Sequence, residues 1–456
     1  MELEYKTKNA WEILDRSSVF SFAEDYKHFI SEAKTEREAV NFFRKEAQLQ
    51  GFADIFSQGT SDRMFYAVEG YKSMLLIKKG KSSLENGINF VFAHLDSPRV
   101  DIKQNPLYEG FDVAMLRTHY YGGIKKYQWV TIPLALHGVI ILKEGKKLEV
   151  CVGEMPDEPV FVISDLLPHL ARKQMEANAK EVIAGEALDP IVGSIPEGEE
   201  KEKDRFKKHV LNILYEKYGI IEEDFLSAEL TLVPAGSARD VGFDRSIIAS
   251  YGHDDRICAY TGVRALFDTE MNNKAAAVVL FDKEEIGSEG ITGAQSDFLE
   301  YAIEELAKRE GLRISARSIL HKSSAISGDV NAAIDPIYRD TFEEQNNAVF
   351  GRGIAVTKFT GLGGKSGASD ASAELVFAVR KLLNDNNVPW QMAELGKVDA
   401  GGGGTVAKFM AKRGIETIDA GPALLSMHAP IELASKADLY STYLGYKAFL
   451  KNFDFK

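Results

Sequence analysis

Five short segments carry side chains that can bind metal ions, several of them directly after apolar runs. They are residues 93–98 (AHLDSP), 252–256 (GHDDR), 282–288 (DKEEIGS), 327–330 (SGDV) and 426–430 (SMHAP). Each segment alone would usually be a turn or a solvated surface. In α/β proteins, however, ligands collect at the carboxyl ends of strands, where segments distant in sequence can meet. Their occurrence in one chain therefore predicts a metal site.

The residue types in these segments suit a pair of divalent metal ions. Zinc binds imidazole nitrogen and carboxylate oxygen, and a catalytic site keeps one position open for water or substrate. Two ions about 3.5–4 Å apart need a bridging carboxylate and separate ligands on each side. The candidate ligands are His94, Asp254, Glu285, Asp329 and His428.

Hydrolysis at such a site also needs a carboxylate that is not a ligand, to act as general base on the attacking water. In the pair Glu284 and Glu285, one can bind metal while its neighbour handles the proton. Asp96, two residues after His94, can accept the second imidazole N–H and fix the tautomer of the ring. The predicted chemistry is metal-assisted hydrolysis.

Apolar runs and helical periodicities indicate the elements that position these residues. Residues 88–93 and 275–281 are continuous apolar runs, typical of buried strands. Residues 36–50 and 370–384 have helical spacing, and a last helix is predicted from about Ser435. Such alternation predicts an α/β fold in which helices cover a mostly parallel sheet.

The length of the chain and a change in pattern predict two domains. With 456 residues, the chain exceeds the roughly 250–300 residues at which single cores stop growing. Residues 106–234 are rich in strand and turn signals and contain a charged run, 199–209, that we interpret as a solvated helix or loop. We expect residues 1–105 and 235–456 to form a discontinuous catalytic domain, with 106–234 inserted as a β-rich domain.

Composition restricts the partners and the compartment. The net charge of −13 argues against nucleic acid or an anionic membrane as a partner. The two cysteines provide no disulfide framework, which fits a reducing cytoplasm. We expect no membrane span, because the sequence lacks an apolar run of about 18 residues, and we expect no signal peptide at the N-terminus.

The motifs resemble those of the aspartyl aminopeptidase family of di-zinc metallopeptidases. Residues 93–98, 282–288 and 426–430 are similar to its metal-ligand and catalytic motifs, and 121–124 (YGGI) to its entry into the inserted domain. Residues 254–256 (DDR) are closer to a sister family, the tetrahedral glutamyl-type aminopeptidases. The resemblance implies a zinc-exopeptidase-like catalytic domain, an inserted dimerisation domain, and peptide substrates with a free N-terminus.

The resemblance also implies a role for each candidate residue. Two divalent ions are implied, zinc first, with manganese and cobalt as alternatives. Glu284 would be the general base and Asp96 the partner of His94. The implied ligands are Asp254 as the bridge, His94 and Asp329 for one ion, and Glu285 and His428 for the other.

Further family features concern the oligomer and the substrate pocket. His169 resembles a histidine that a neighbouring subunit donates to stabilise the tetrahedral intermediate; the alternative is a surface-loop histidine. The family assembles as a dodecamer built from dimers. Lys358 matches the position that binds an N-terminal Asp or Glu. The family's Gln-Arg-Tyr signature is missing here, and a glycine-rich segment takes its place. Lys365 in this segment could bind the acidic side chain instead, or the pocket could accept other N-terminal side chains.

Two other functional classes stay open beside the aminopeptidase. A related di-metal amidohydrolase, such as a deacylase or a carboxypeptidase, would use the same ligands on N-blocked or other amide substrates. A non-catalytic assembly protein with the peptidase fold would be expected to lack a ligand or the base, and neither is missing from the sequence.

Overall fold

The computed structural model describes residues 3–57, 63–270 and 273–455. The chain divides into two compact units, the first made of Met1–Asp96, Ala238–Met427 and Glu432–Lys456, the second of Ser97–Ser237 and His428–Ile431. Among the described residues, no helix is long and apolar enough to cross a membrane.

The strands are numbered in chain order over the described residues. They are β1 (Ala53–Asp54), β2 (Met64–Glu69), β3 (Ser73–Lys78), β4 (Ile88–His94), β5 (Arg99–Gly110), β6 (Val113–Tyr121), β7 (Leu134–Ile141), β8 (Lys147–Val152), β9 (Ile191–Gly193), β10 (Ala228–Pro234), β11 (Arg239–Val241), β12 (Ile247–Ser250), β13 (Ala275–Phe281), β14 (Ser324–Ser327), β15 (Asn331–Ala332), β16 (Ile354–Thr357), β17 (Trp390–Met392), β18 (Glu416–Gly421), β19 (Ala423–Leu425) and β20 (Glu432–Ser435).

The α-helices are numbered in the same way. They are α1 (Arg16–Glu32), α2 (Glu36–Leu49), α3 (Arg172–Met175), α4 (Arg205–Tyr218), α5 (His253–Phe267), α6 (Phe298–Arg309), α7 (Ala316–His321), α8 (Ala373–Asp385), α9 (Ala407–Lys412) and α10 (Lys436–Asn452).

A large mixed sheet forms the centre of the first unit. Within the described residues its order is β1-β2-β3-β13-β4-β14-β18-β16-β17. The central strands β13, β4, β14 and β18 are parallel, whereas β3 and β16 join them antiparallel. Every residue of β4 and β13 is buried, as their apolar sequences predict. These parallel strands bring their carboxyl ends to one edge of the sheet.

Helices cover both faces of this sheet, which confirms the predicted α/β fold class. One face packs against α1, α2, α5, α8 and α10, and the other against α6, α7 and α9. Helix α2 confirms the helix predicted over 36–50, with a capping box between Thr35 and Glu38. Helix α10 begins after Ser435, whose side chain accepts the backbone N–H of Asp438.

A smaller sheet completes the first unit and lies beside the start of α5. Its order over the described residues is β11-β12-β20-β19-β15. Strand β12 leads into α5 and pairs antiparallel with β20, so that Ser250 lies opposite Glu432. The carboxylate of Glu432 is thereby held next to the first turn of α5.

The second unit is rich in β-structure. Its sheet has the order β8-β7-β10-β5-β6-β9 over the described residues, with every strand pair antiparallel. The predicted insertion, 106–234, falls inside this unit. The unit begins earlier than Pro106 because β5 is continuous from Arg99 and pairs with β6 from that residue onward.

Candidate metal centre

Four of the five predicted ligands lie in the first unit, at or near strand ends. His94 is the last residue of β4, opposite Phe281 at the end of β13. Asp329 follows β14 by two residues, and Glu285 lies in a short 3₁₀ turn after β13. Asp254 lies in the first turn of α5. The parallel order of β13, β4 and β14 explains why His94, Asp329 and Glu285, which end or follow these strands, converge.

His94, Asp254 and Asp329 form one cluster with the geometry of a metal site. Each offers a ligand atom within 4.8 Å of the others. The Nε2 atom of His94 lies 3.3 Å from the Asp254 carboxylate. Its Nδ1 atom lies 3.0 Å from the backbone carbonyl of Asp96 and 3.3 Å from the Asp96 carboxylate. With Nδ1–H donating to Asp96, the Nε2 lone pair is directed at the cluster.

Asp254 also lies near Glu285, with ligand atoms of the two residues within 4.8 Å of each other. The backbone N–H of Asp254 donates to the Glu432 carboxylate at 3.0 Å. The neighbouring Asp255 carboxylate accepts the backbone N–H of His94 at 3.2 Å. Asp254 is thus held between the His94–Asp329 cluster and Glu285.

Asp96 joins this cluster to the Glu284–Glu285 turn. Its carboxylate accepts the backbone N–H of Glu284 and that of Glu285, each at 3.0 Å. Asp96 is completely buried. One carboxylate therefore orients the imidazole of His94 and fixes the turn that carries both glutamates.

The electrostatics of the cluster favour a bound cation. Burial raises the pKa of Asp329 and of Asp255 well above the usual range, and neighbouring carboxylates add to the shift. Burial opposes protonation of His94, but its hydrogen bonds to Asp254 and Asp96 outweigh this effect and raise its pKa. A dication would neutralise these crowded carboxylates. One imidazole among buried carboxylates is a donor set that suits zinc, so the residues fit the metal.

Glu284 lies beside the candidate ligands and has an unusual ionisation. Burial raises its pKa to about 7; the positive charges of His94 and Lys408 oppose the shift, whereas Asp96 and Asp254 add to it. A carboxyl group poised near neutral pH can both accept and donate a proton, as a general acid–base catalyst must.

The two remaining predicted histidines belong to the second unit. His428 is half-buried, and its Nδ1 atom lies 3.0 Å from the backbone carbonyl of Gly123. His169 is exposed in a turn that precedes α3. Their roles as ligand and as oxyanion-stabilising group stay predictions.

The two predicted substrate-reading lysines share one counter-ion. Lys358 follows β16, and its ammonium group donates to the carboxylate of Asp370. Lys365 donates to the other oxygen of the same carboxylate at 3.0 Å. The side chains of the two lysines are 38% and 44% exposed, so both are accessible to solvent.

Sequence reasoning missed several residues of this region. Glu432, Lys408 and Asp370 carry no recognisable motif, and each reaches the site through a tertiary contact. The run of glycines at 401–404 offered the only signal for Lys408. A Cβ atom added at Gly404 would lie 2.8 Å from the Lys408 ammonium nitrogen, so the glycine makes room for that cation.

Comparisons with known proteins agree with a metal-dependent peptidase site. A family model described as "Aminopeptidase I zinc metalloprotease (M18)" matches residues 29–450. The chain is 49% identical to a "Probable M18 family aminopeptidase 1" of Clostridium acetobutylicum, over 98% of each protein. It is also similar to the crystal structure of an M18-family aminopeptidase from Thermotoga maritima, with a TM-score of 0.95, 46% identity, and coverage of 98% of this chain and 100% of that one.

A more distant likeness shows the fold alone. The chain is similar to the structure of the S. cerevisiae mApe1 dodecamer, with a TM-score of 0.76 and 21% identity. The similarity covers 95% of this chain and 97% of the yeast one.

Proposed function

This chain belongs to the M18 family of zinc metallo-aminopeptidases, and we propose that it releases the N-terminal residue of peptides at a site for two zinc ions. The proposed bridge is Asp254, because its carboxylate lies within 4.8 Å of the ligand atoms of the His94–Asp329 pair and of a ligand atom of Glu285. His428 is the proposed remaining ligand, with Nε2 as its donor atom, because Nδ1 faces the carbonyl of Gly123. Bound there, the ions supply Lewis-acid chemistry and lower the pKa of water.

Glu284 is the proposed general base of this reaction. It removes a proton from the attacking water and returns it to the amine nitrogen of the departing peptide, as a carboxyl group with a pKa of about 7 can do. The observation that carries the proposal is the double hydrogen bond from Glu284 and Glu285 to Asp96, which also contacts His94. This arrangement gives the base a fixed position relative to the ligands.

The proposal extends to a homo-oligomer in which His169 acts on the substrate of a neighbouring subunit. His169 is exposed and lies in the unit that does not contain Glu284. A hydrogen-bond donor that the assembly holds in place can stabilise the developing oxyanion. The likeness to a dodecameric yeast protein supports a dodecamer as the assembly. Both cysteines are free, which suits the proposed cytoplasmic location.

The reaction class is tested with purified protein loaded separately with zinc, manganese or cobalt. Dipeptides that begin with Asp, Glu, Leu or Lys are offered with a free amine and, as a matched set, N-acetylated. We expect metal-dependent cleavage of the free-amine set only. Cleavage restricted to the acetylated set would assign a deacylase, and no cleavage with any metal would reject a catalytic role.

The proposed donation of His169 between subunits is tested by complementation. His169→Phe and Glu284→Gln are each expected to lose activity as pure proteins. Co-expression places an intact Glu284 beside an intact His169 from another chain, so activity should return. Failure to recover activity in assembled mixed oligomers would show that His169 does not act in trans. The oligomeric state of each preparation is checked by light scattering.

A further inference from the structure

Lys408 carries a positive charge near the candidate base and is half-buried in α9. Among the described residues, none forms a hydrogen bond or an ion pair with its ammonium group, which lies 4.8 Å from the centre of the Phe409 ring. Withdrawing a charge from water without pairing it costs free energy. The ammonium group of Lys408 is therefore available to an anionic ligand.

The start of α9 is fixed to the strands that carry the metal cluster. The hydroxyl of Thr405 donates to the buried carboxylate of Asp419 at 2.7 Å. Asp419 lies on β18, which pairs in parallel with β14, and the proposed ligand Asp329 follows β14 by two residues. Lys408 lies three residues after Thr405, so the same edge of the sheet positions the lysine and the metal ligands.

The side chain of Lys408 lies against Gly404, where any larger residue would meet the ammonium group. The positive charge of Lys408 opposes the rise in the pKa of Glu284 that burial causes, so the two groups lie close enough to interact through space. Within the described part of the chain they form no ion pair. Space for another group therefore remains between the cation and the base.

The proposed reaction indicates which part of the substrate lies near Lys408. Glu284 returns its proton to the amine nitrogen of the departing peptide, so this nitrogen lies beside Glu284 during the reaction. In a dipeptide the carboxylate carbon is two bonds from that nitrogen, about 2.5 Å away. The C-terminal carboxylate of a dipeptide therefore lies within reach of a lysine that acts on Glu284, whereas a longer peptide has an uncharged amide at the same place.

We propose that Lys408 is a specificity-determining residue that binds the C-terminal carboxylate of dipeptide substrates, so that the enzyme favours dipeptides over matched substrates without that charge. The inference rests on the proposed aminopeptidase function and adds recognition of the leaving group to it. An ammonium–carboxylate pair gains charge-assisted hydrogen bonds. Without Lys408, the carboxylate of Glu284 would repel that of the substrate, because like charges brought together without compensation are strongly unfavourable.

The test compares kcat/KM of the zinc-loaded enzyme for Leu-Ala and for its C-terminal amide, which differ only in the terminal charge. The wild-type enzyme should favour Leu-Ala, and Lys408→Met should lower the ratio of the two values about tenfold, as expected for the loss of one charge-assisted hydrogen bond. Lys408→Arg keeps the cation and should retain most of the preference. Lys412→Met is the matched control and should leave the ratio unchanged, because Lys412 lies on the same helix, exposed, with its ammonium group 5.9 Å from the same Phe409 ring.

The outcomes separate this inference from the proposed function. If both substrates are cleaved but the ratio is the same in wild type and Lys408→Met, Lys408 does not bind the carboxylate, although the enzyme is an aminopeptidase. A wild-type preference for the amide would also overturn the inference. Cleavage of neither substrate by the wild type would overturn both conclusions. Thermal unfolding shows whether each variant is folded, and Lys408→Gln provides the same comparison if Lys408→Met is not.

Discussion

The carboxylate of Asp96 accepts the backbone N–H of Glu284 at 3.0 Å, across 188 residues of sequence. The same carboxylate accepts the N–H of Glu285 and lies 3.3 Å from the Nδ1 atom of His94. Asp96 therefore orients one candidate ligand, fixes the turn of another, and positions the candidate base. One buried residue thus fixes the relative positions of the candidate ligands and the candidate base.

Replacing Asp96 by Asn should damage metal binding and catalysis together. The amide nitrogen cannot accept a backbone N–H, so the Glu284–Glu285 turn would lose one of its two hydrogen bonds, and His94 would lose an anionic neighbour. We expect metal affinity or kcat/KM to fall about 10- to 100-fold, as for other residues that orient metal ligands. Metal titration and peptidase assays measure both. Asp112→Asn, at an exposed turn, should change neither; equal effects in the two variants would contradict the role of Asp96.

The glycine-rich segments 361–364 and 401–404 pack closely together. This packing predicts that alanine substitution at Gly402 and at Gly403 will affect stability differently. Gly402 has a φ of +128°, and a Cβ atom there would lie 2.2 Å from the carbonyl oxygen of Gly361. A Cβ atom at Gly403 would meet no atom within 4 Å. Gly402→Ala should therefore lower the free energy of unfolding by about 1–3 kcal/mol, whereas Gly403→Ala should not. Denaturant titration of both variants measures the difference, and equal stabilities would show that the segments are not packed as described.

A charge cluster remote from the metal centre predicts an acid dependence of stability. The Asp240 carboxylate forms ion pairs with Lys27, Lys436 and Arg245, at N···O distances of 2.9, 2.8 and 2.6 Å. Lys436 is completely buried. Burial of Asp240 works against its ionisation, but these three cations outweigh it and lower its pKa. Asp240→Asn should cost about 3–5 kcal/mol at pH 7, because the buried Lys436 would lose its closest carboxylate.

The sign of the pH effect follows from the lowered pKa of Asp240. Its folded-state pKa lies below the value in the unfolded chain, so the stabilisation is present above about pH 4 and is lost as the pH falls further. The difference in unfolding free energy between wild type and Asp240→Asn should therefore shrink when urea titrations are moved from pH 7 to pH 3. A difference that stays constant across this range would contradict the assignment.

Local sequence patterns were sufficient to predict the elements that carry the metal cluster. The buried strands β4 and β13 follow from continuous apolar runs, and α2 from its capping box. The helix predicted over 370–384 begins at Ala373, after Ser372 caps it. Asp370 lies outside this helix, where its side chain pairs with two lysines of the preceding loop.

Contacts made only in the folded chain were beyond the reach of sequence patterns. Glu432 reaches Asp254 because β20 pairs with β12, a register that no local signal specifies. The pairing of Lys358 and Lys365 with Asp370 depends on how the loop between β16 and α8 folds back on itself. The sequence indicated the chemistry of the cluster, but not these tertiary contacts.

The Glu284→Gln variant tests the proposed role of Glu284 as general base most directly, with metal content and turnover measured on the same preparation. A general base contributes about 10²–10⁴-fold to rate, so kcat should fall by that order while the zinc stoichiometry stays that of the wild type. Glu289→Gln, an exposed glutamate in the same loop, is the matched control and should keep both. Full activity in Glu284→Gln would contradict the assignment of the base, and loss of zinc would show that Glu284 is a ligand instead.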